Sequence, residues 1–459
     1  MRFDLEKYVV EEASSIKDAL TKVEANHEGI IFTRSTVGKI TGVATDGDIR
    51  RGLLRGLSLA DQISDCANRD YVWASEDTSR ENLLKRLDGS IKLVPVLDRD
   101  HSLVSIVSKD FVPLNDEEKV FIRARAPVRV SFGGGGSDIT GYFSQRSGAV
   151  LNSTISIYSH AAMEVLEDPR IEIFSIDLGE KLIAANLAEA FEHTGVFGLI
   201  VALLQVVKPD FGFRLHLHSD FAVGSGLGGS ATLSAAILGC FNMLRTDRWD
   251  RHELAEIAFQ AERLHLGIAG GWQDQYAAAF GGFNFIEFGG EQNLVHPIRL
   301  HQDVIRELEE SLVLCDTGTT HESGAIHQDQ SAELQSEAIQ KNVEKNVELA
   351  YEIRNLLLRG NLNDFGLALG RAWSFKKTLS SKITTTKLDE IYDGAIQAGA
   401  LGGKLLGAGG GGFFLFFVPP FKKNDLLHFL IDEGLAIRNF NFEAHGLQSW
   451  ISRASSDSH

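Results

Sequence analysis

Three glycine-rich runs are the first sign of chemistry in this chain: Gly133–Asp138, Gly224–Ser230 and Gly407–Gly412. Glycine permits positive φ and close backbone approach, so successive N–H groups can converge on an anion. The middle run opens into a helical pattern, which adds free N–H groups and the positive end of the helix dipole. A phosphate cradle follows from that arrangement. A helix cap alone would favour Ser230, but it would not need three glycines ahead of it. Two familiar nucleotide loops are excluded. No Gly-Lys is followed by Ser or Thr at Walker spacing, and the two G-x-G-x-x-G matches, at 224–229 and 407–412, lead into two successive helices and into a strand.

The elements that must position these runs can be read from periodicity. Residues 121–132 alternate as a strand and feed the first run. A strand at 213–220 leads through the second run into a helix. Residues 252–266 put Leu254, Ile257, Ala258, Ala261 and Leu264 at helical spacing, with Glu262 beside that stripe, where it either faces a cation or flanks solvent. Long helices at 331–359 and 387–399 precede 402–419, a glycine turn feeding a buried strand. The first 112 residues are different: a β-α-β-β-α plan of ~50 residues occurs twice. A Pro-containing acidic linker, 113–120, separates the parts.

Composition narrows the class. The 459 residues carry a net charge of −17, which argues against nucleic-acid and anionic-membrane surfaces. The three cysteines, Cys66, Cys240 and Cys315, lack ligand spacing, and no apolar run approaches the ~20 residues of a membrane span. A soluble protein of a reducing, cytoplasmic compartment is expected. His216, His218 and His321 have no metal-ligand spacing and read as ordinary or substrate-facing.

Residues 1–112 resemble a tandem CBS-domain pair, most specifically at Gly42-Val43-Ala44-Thr45-Asp46-Gly47-Asp48-Ile49-Arg50-Arg51. The resemblance implies a regulatory adenine-nucleotide site in which Thr45 and Asp48 hold a ribose, and a homodimer. A capped turn without ligand is the alternative. The second copy reads Ser108-Lys109-Asp110, one residue short, so one nucleotide site is expected.

From residue 121 on, the chain resembles the GHMP kinases. Three motifs carry this: Ala126–Phe132 through Asp138; Gly224–Ala231; and Lys404–Gly412, with Gly271–Tyr276 between the last two. Gly134–Asp138, Gln273–Gly282 and Gly402–Gly412 are similar to the branch that phosphorylates D-glycero-D-manno-heptose 7-phosphate at O1. Gly135 and Gly136 stand where galactokinases carry Glu-His. Gly133 and His321 depart from the branch, which has an apolar residue and an Arg there. The resemblance implies an α+β, two-lobed kinase fold behind an N-terminal α/β CBS module: CBS pair 1–112, linker 113–120, N-terminal lobe 121–305 and C-terminal lobe 306–459. It further implies ATP and Mg²⁺ as cofactors and a sugar or sugar phosphate as substrate. Asp274 would be the base with Arg129 beside it, and Ser230 and Glu262 would hold the metal. Gly224, Gly226, Leu227, Gly228, Gly229, Ser230, Ala231, Gly409 and Gly410 would bind nucleotide, and Asp138, Gly135, Gly136 and Gly411 the sugar. A fucokinase-like enzyme, a non-catalytic GHMP-fold regulator and the decarboxylase branch are the rivals.

Overall fold

The computed structural model describes residues 5–87, 91–108, 119–193, 195–222, 224–318, 326, 329, 333 and 336–454. Two compact units divide the chain, Met1–Glu118 and Lys119–His459.

In the first unit, β1 (Val9–Glu11), β2 (Ile30–Arg34) and β3 (Ile40–Thr45) form one sheet, and β4 (Ala74–Ser75), β5 (Leu93–Leu97) and β6 (Leu103–Ser108) form a second. Each has a parallel pair followed by an antiparallel one, the same plan twice. Tyr8, Val9, Phe32 and Ile40 of the first repeat pack with Leu93, Leu97 and Ile106 of the second, so each half covers apolar surface of the other. The closing helix expected for the second repeat, after β6, would fall outside the described residues. The helix Asp46–Leu54 starts at a capping box: Asp48 N–H donates to the Thr45 hydroxyl, and Asp48 Oδ2 accepts from Thr45 N and Oγ1.

The second unit holds an eight-stranded sheet, in which β7 (Lys119–Gly133), β8 (Gly148–Val165), β9 (Ile171–Ser175), β10 (Glu180–Ala184), β11 (Phe213–Ser219), β12 (Phe283–Phe288) and β13 (Asn293–Pro297) are joined by the final strand, β18 (Gln448–Ala454). A four-stranded sheet is built from β14 (Leu312–Asp316), β15 (Gly402–Leu405), β16 (Phe413–Phe417) and β17 (Ala436–Arg438) in the order β15-β16-β14-β17. The tail returns to the larger sheet: Gln448 stands opposite Arg125 in an antiparallel pair with β7. Helices Gly198–Val207 and Gly229–Leu244 bury Ile200, Leu203, Leu204, Ala235 and Leu238 against Leu215 and Leu217 of β11. Leu362–Lys377 is a long helix absent from the sequence reading, packed through Phe365, Ala368 and Leu369. Among the described residues, no helix is long and apolar enough to cross a membrane.

One helix departs from expectation. The α-helix that begins at Arg251 ends at Phe259 and continues as a π-helix, Gln260–His265. The extra residue per turn rotates the later side chains, so Leu264, expected on the buried stripe, is 72% exposed while Glu262 is 3% exposed.

Candidate active site

Strand β7 delivers Arg129 into the interior, where its guanidinium grips Asp274 with two parallel bonds, Nε to Oδ1 at 2.7 Å and Nη2 to Oδ2 at 2.8 Å. Its third nitrogen, Nη1, donates to the Gly226 carbonyl at 3.0 Å. One side chain thus ties the helix Gln273–Phe280 to the second glycine run. A forked pair of this kind fixes orientation as well as charge. Asp274 also lies against the loop: a Cβ on Gly228 would come within 3.0 Å of its Oδ2.

The second run is a left-handed cradle, with φ of 79° at Gly224, 78° at Gly226 and 80° at Gly228. Leu227 is buried and turns its carbonyl to the Arg129 N–H. Gly229 and Ser230 begin the helix, and Ala231 is buried in it. Gly407 of the third run backs directly onto the second: its Cβ would stand 2.5 Å from Gly226 Cα, and one on Gly412 2.3 Å from the Ser225 carbonyl. Gly409 and Gly410 pack on Ile383, with Gly410 N–H donating to its carbonyl.

Beside the cradle, Ser230 Oγ donates to Glu262 Oε1 at 2.5 Å, and Gln275 Nε2 to Oε2 at 2.7 Å. The π-helix turns Glu262 inward to meet them. Its neighbour Arg263 donates to the carbonyls of Ile268, Ala269 and Gly271 and so clamps the loop leading to Asp274.

Asp138 is buried and accepts from the N–H groups of Gly136, at 3.1 Å, and Gln273, at 3.2 Å. Burial, and then the Asp274 charge, push its carboxyl above the usual range. Gly135 receives Asn346 Nδ2 on its carbonyl, and a Cβ there would meet open space. Gly136 and Gly411 have φ of 94° and 155°.

The structure therefore brings Arg129, Asp138, Gly226, Gly228 and Asp274 into one linked network, and Ser230 and Glu262 into contact. Gly411 follows Gly410 in the third run. Thr45 and Asp48 belong to the other unit, where Asp48 Oδ1 also receives Arg51; burial opposes but does not outweigh these bonds, and its carboxyl stays below the usual range. His321 lies outside the described residues, while His218 stacks on His160 at 4.4 Å and His216 on Phe174 at 4.8 Å. Sequence reasoning overlooked Gln275, Arg263, Lys376 and Lys404. Lys404 is inside the third motif, but Lys376 stands at the end of a helix that the sequence pattern did not signal.

Comparison with known proteins agrees with this geometry. The model of the GHMP kinases N terminal domain matches residues 187–282, that of the GHMP kinases C terminal 353–434, and that of the CBS domain 63–110. The CBS match falls on the second repeat, not on the one carrying Thr45 and Asp48. D-glycero-alpha-D-manno-heptose 7-phosphate kinase of Campylobacter jejuni is 36% identical over 335 residues, covering 72% of this chain and 98% of that enzyme. The L-fucokinase/L-fucose-1-P guanylyltransferase of Bacteroides fragilis is 27% identical, over 68% of this chain and 36% of that protein. A crystal structure of a D-glycero-D-manno-heptose 1-phosphate kinase from Bacteroides thetaiotaomicron superposes with a TM-score of 0.59 at 29% identity, over 72% of this chain and 98% of that one.

Proposed function

Given that this chain belongs to the GHMP kinases and is a sugar kinase carrying a CBS domain, we propose that it transfers the γ-phosphoryl group of ATP, with Mg²⁺, to the anomeric hydroxyl of a heptose 7-phosphate or a closely related sugar. The observation that carries this reading is the Arg129–Asp274 fork set against Gly226 and Gly228. It puts a carboxylate beside a phosphate cradle, where a hydroxyl proton must be accepted as the phosphoryl group arrives.

In this mechanism the loop 224–229 and the start of the following helix bind the nucleotide phosphates through backbone N–H groups. Asp138, Gly135, Gly136 and Gly411 receive the sugar. Asp274 orients the anomeric hydroxyl and takes its proton as the new O–P bond forms and the bond to ADP breaks. Arg129 holds Asp274 in place and offsets charge. The donors suit Mg²⁺: Ser230 and Glu262 present two hard oxygens at the helix start, and this ion takes few protein oxygens and keeps waters. Bound there, it would neutralise charge on the nucleotide phosphates. Glu262→Gln is accordingly expected to raise the Mg²⁺ concentration needed for half-maximal rate; an unchanged titration would remove Glu262 from the metal site.

ADP release across a panel of hexoses, heptoses and their phosphates tests the substrate. The highest kcat/KM is expected with the heptose 7-phosphate. L-fucose in first place would move the chain to the fucokinase branch, and no release with any sugar would favour a non-catalytic regulator. In the same reading, 1–112 is a CBS pair that senses an adenine nucleotide and joins two chains, 113–120 a linker, 121–305 the N-terminal lobe, and 306–459 the C-terminal lobe whose last strand crosses back. A ribose diol would have to displace Thr45 or Arg51 from Asp48. Calorimetry of the full chain with AMP checks this, and a change of ~5–150-fold in sugar KM or kcat is the usual size of such coupling.

A further inference from the structure

Lys404 lies in β15, directly before the third glycine run, and its side chain is buried. Its ammonium has no hydrogen-bond partner among the described residues, yet it is not among the fully enclosed unpaired atoms, so the tip of the side chain opens onto space that a ligand could fill. Lys376, equally buried on the helix Leu362–Lys377, is a useful contrast. Its Nζ donates to the carbonyls of Leu405 at 2.8 Å and Gly407 at 2.5 Å, so it is satisfied and pins the turn.

The charges that face Lys404 come from every side of the site. Arg129 on β7 and Lys376 repel it, and Asp138 attracts it. Neither nearby carboxylate bonds it. Asp274 is engaged by the Arg129 fork, and Asp138 by two backbone N–H groups. The Lys404 amine therefore stands among groups already bonded elsewhere, with no partner of its own among the described residues. Arg129 leads to the proposed base and Asp138 to the proposed sugar site, so both neighbours mark the reacting end of the substrate.

We propose that Lys404 is a further catalytic residue, donating to an oxygen of the phosphoryl group in transit between nucleotide and sugar, beside Arg129. This rests on the kinase reading and names a residue in it. The amine forms no covalent bond; it supplies charge where charge develops. Burial, then Arg129, bring the Lys404 ammonium down to about 7, with Asp138 opposing. The sign follows: the charged form dominates below that pH and fades above it. In the free enzyme kcat/KM should therefore hold below about pH 7 and fall as pH rises beyond it.

K404M in the full chain, assayed with the best sugar of the panel, is the test. Methionine keeps most of the volume and removes the amine, so kcat should fall while the protein stays folded, with Tm near that of the wild type. The fall should be at least about tenfold, below the ~10²–10³ of a lone oxyanion donor because Arg129 shares the charge. The falling limb of the pH profile should disappear, and the loss should be equal for phosphorylated and unphosphorylated sugars. A loss confined to the phosphorylated sugar would overturn the proposal, since the amine would then meet the substrate's own phosphate. An unchanged kcat and pH limb would overturn it too, and a lowered Tm with wild-type kinetics would leave only a structural role. If the wild-type chain turns over no sugar, the kinase reading falls and takes this proposal with it; an active wild type with an indifferent K404M sinks this proposal alone.

Discussion

Asp274→Asn should lower kcat by ~10²–10⁴-fold, the usual contribution of a general base, while nucleotide still binds. The swap preserves size but replaces one carboxylate oxygen with an amide NH₂, a donor facing another donor in the Arg129 fork. The phosphate cradle is built from backbone, so nucleotide affinity has no reason to follow. Single-turnover kinetics beside binding of a non-hydrolysable ATP analogue separates the two effects. Retention of more than about half the wild-type kcat would take Asp274 out of the mechanism, because a base of that class cannot be so dispensable.

Gly271→Ala should be nearly as damaging, although residue 271 makes no chemical contribution. A Cβ there would lie 1.9 Å from Asp138 Oδ2, and one on Gly270 would lie 2.3 Å from the Arg263 guanidinium. The two glycines let the chain pass between those side chains on its way to Asp274. An added methyl must push Asp138 off the Gly136 and Gln273 N–H groups or displace the loop itself. A misplacement of about 1 Å can cost ~10²-fold, and a loss of that order is expected in kcat/KM for the sugar with nucleotide affinity unchanged. Wild-type sugar kinetics in this variant would show that Asp138 does not hold the substrate.

Much of this arrangement was legible in the residues. Strand β7, the helix after Ser230 and the strand after the third glycine run follow from apolar periodicity and glycine, both local signals. The twofold plan of the first unit was equally visible. What escaped depended on distant partners. The helix Leu362–Lys377 carries Gly366 and Gly370 in its interior, which weakens helical propensity, and it forms because tertiary packing outweighs that. The π-helix left no mark in the 252–266 pattern. Leu264 fits an α stripe by spacing, and only the requirement that Glu262 reach Ser230 and Gln275 distinguishes the two windings. Lys376 and Lys404 are far from Arg129 in sequence, and no spacing rule joins a lysine at a helix end to a strand begun some 250 positions earlier.

The contact between the second and third glycine runs bears on how this enzyme can be altered. Gly226, Gly407 and Gly412 meet through main chain alone, with no side chain between them to be trimmed or repacked. A bulkier residue on one run has no compensating shrinkage on the other. The two runs, about 180 positions apart, therefore behave as a single heritable part. A chimaera that borrows one run from a relative with a different turn should fail, and one that exchanges both should function.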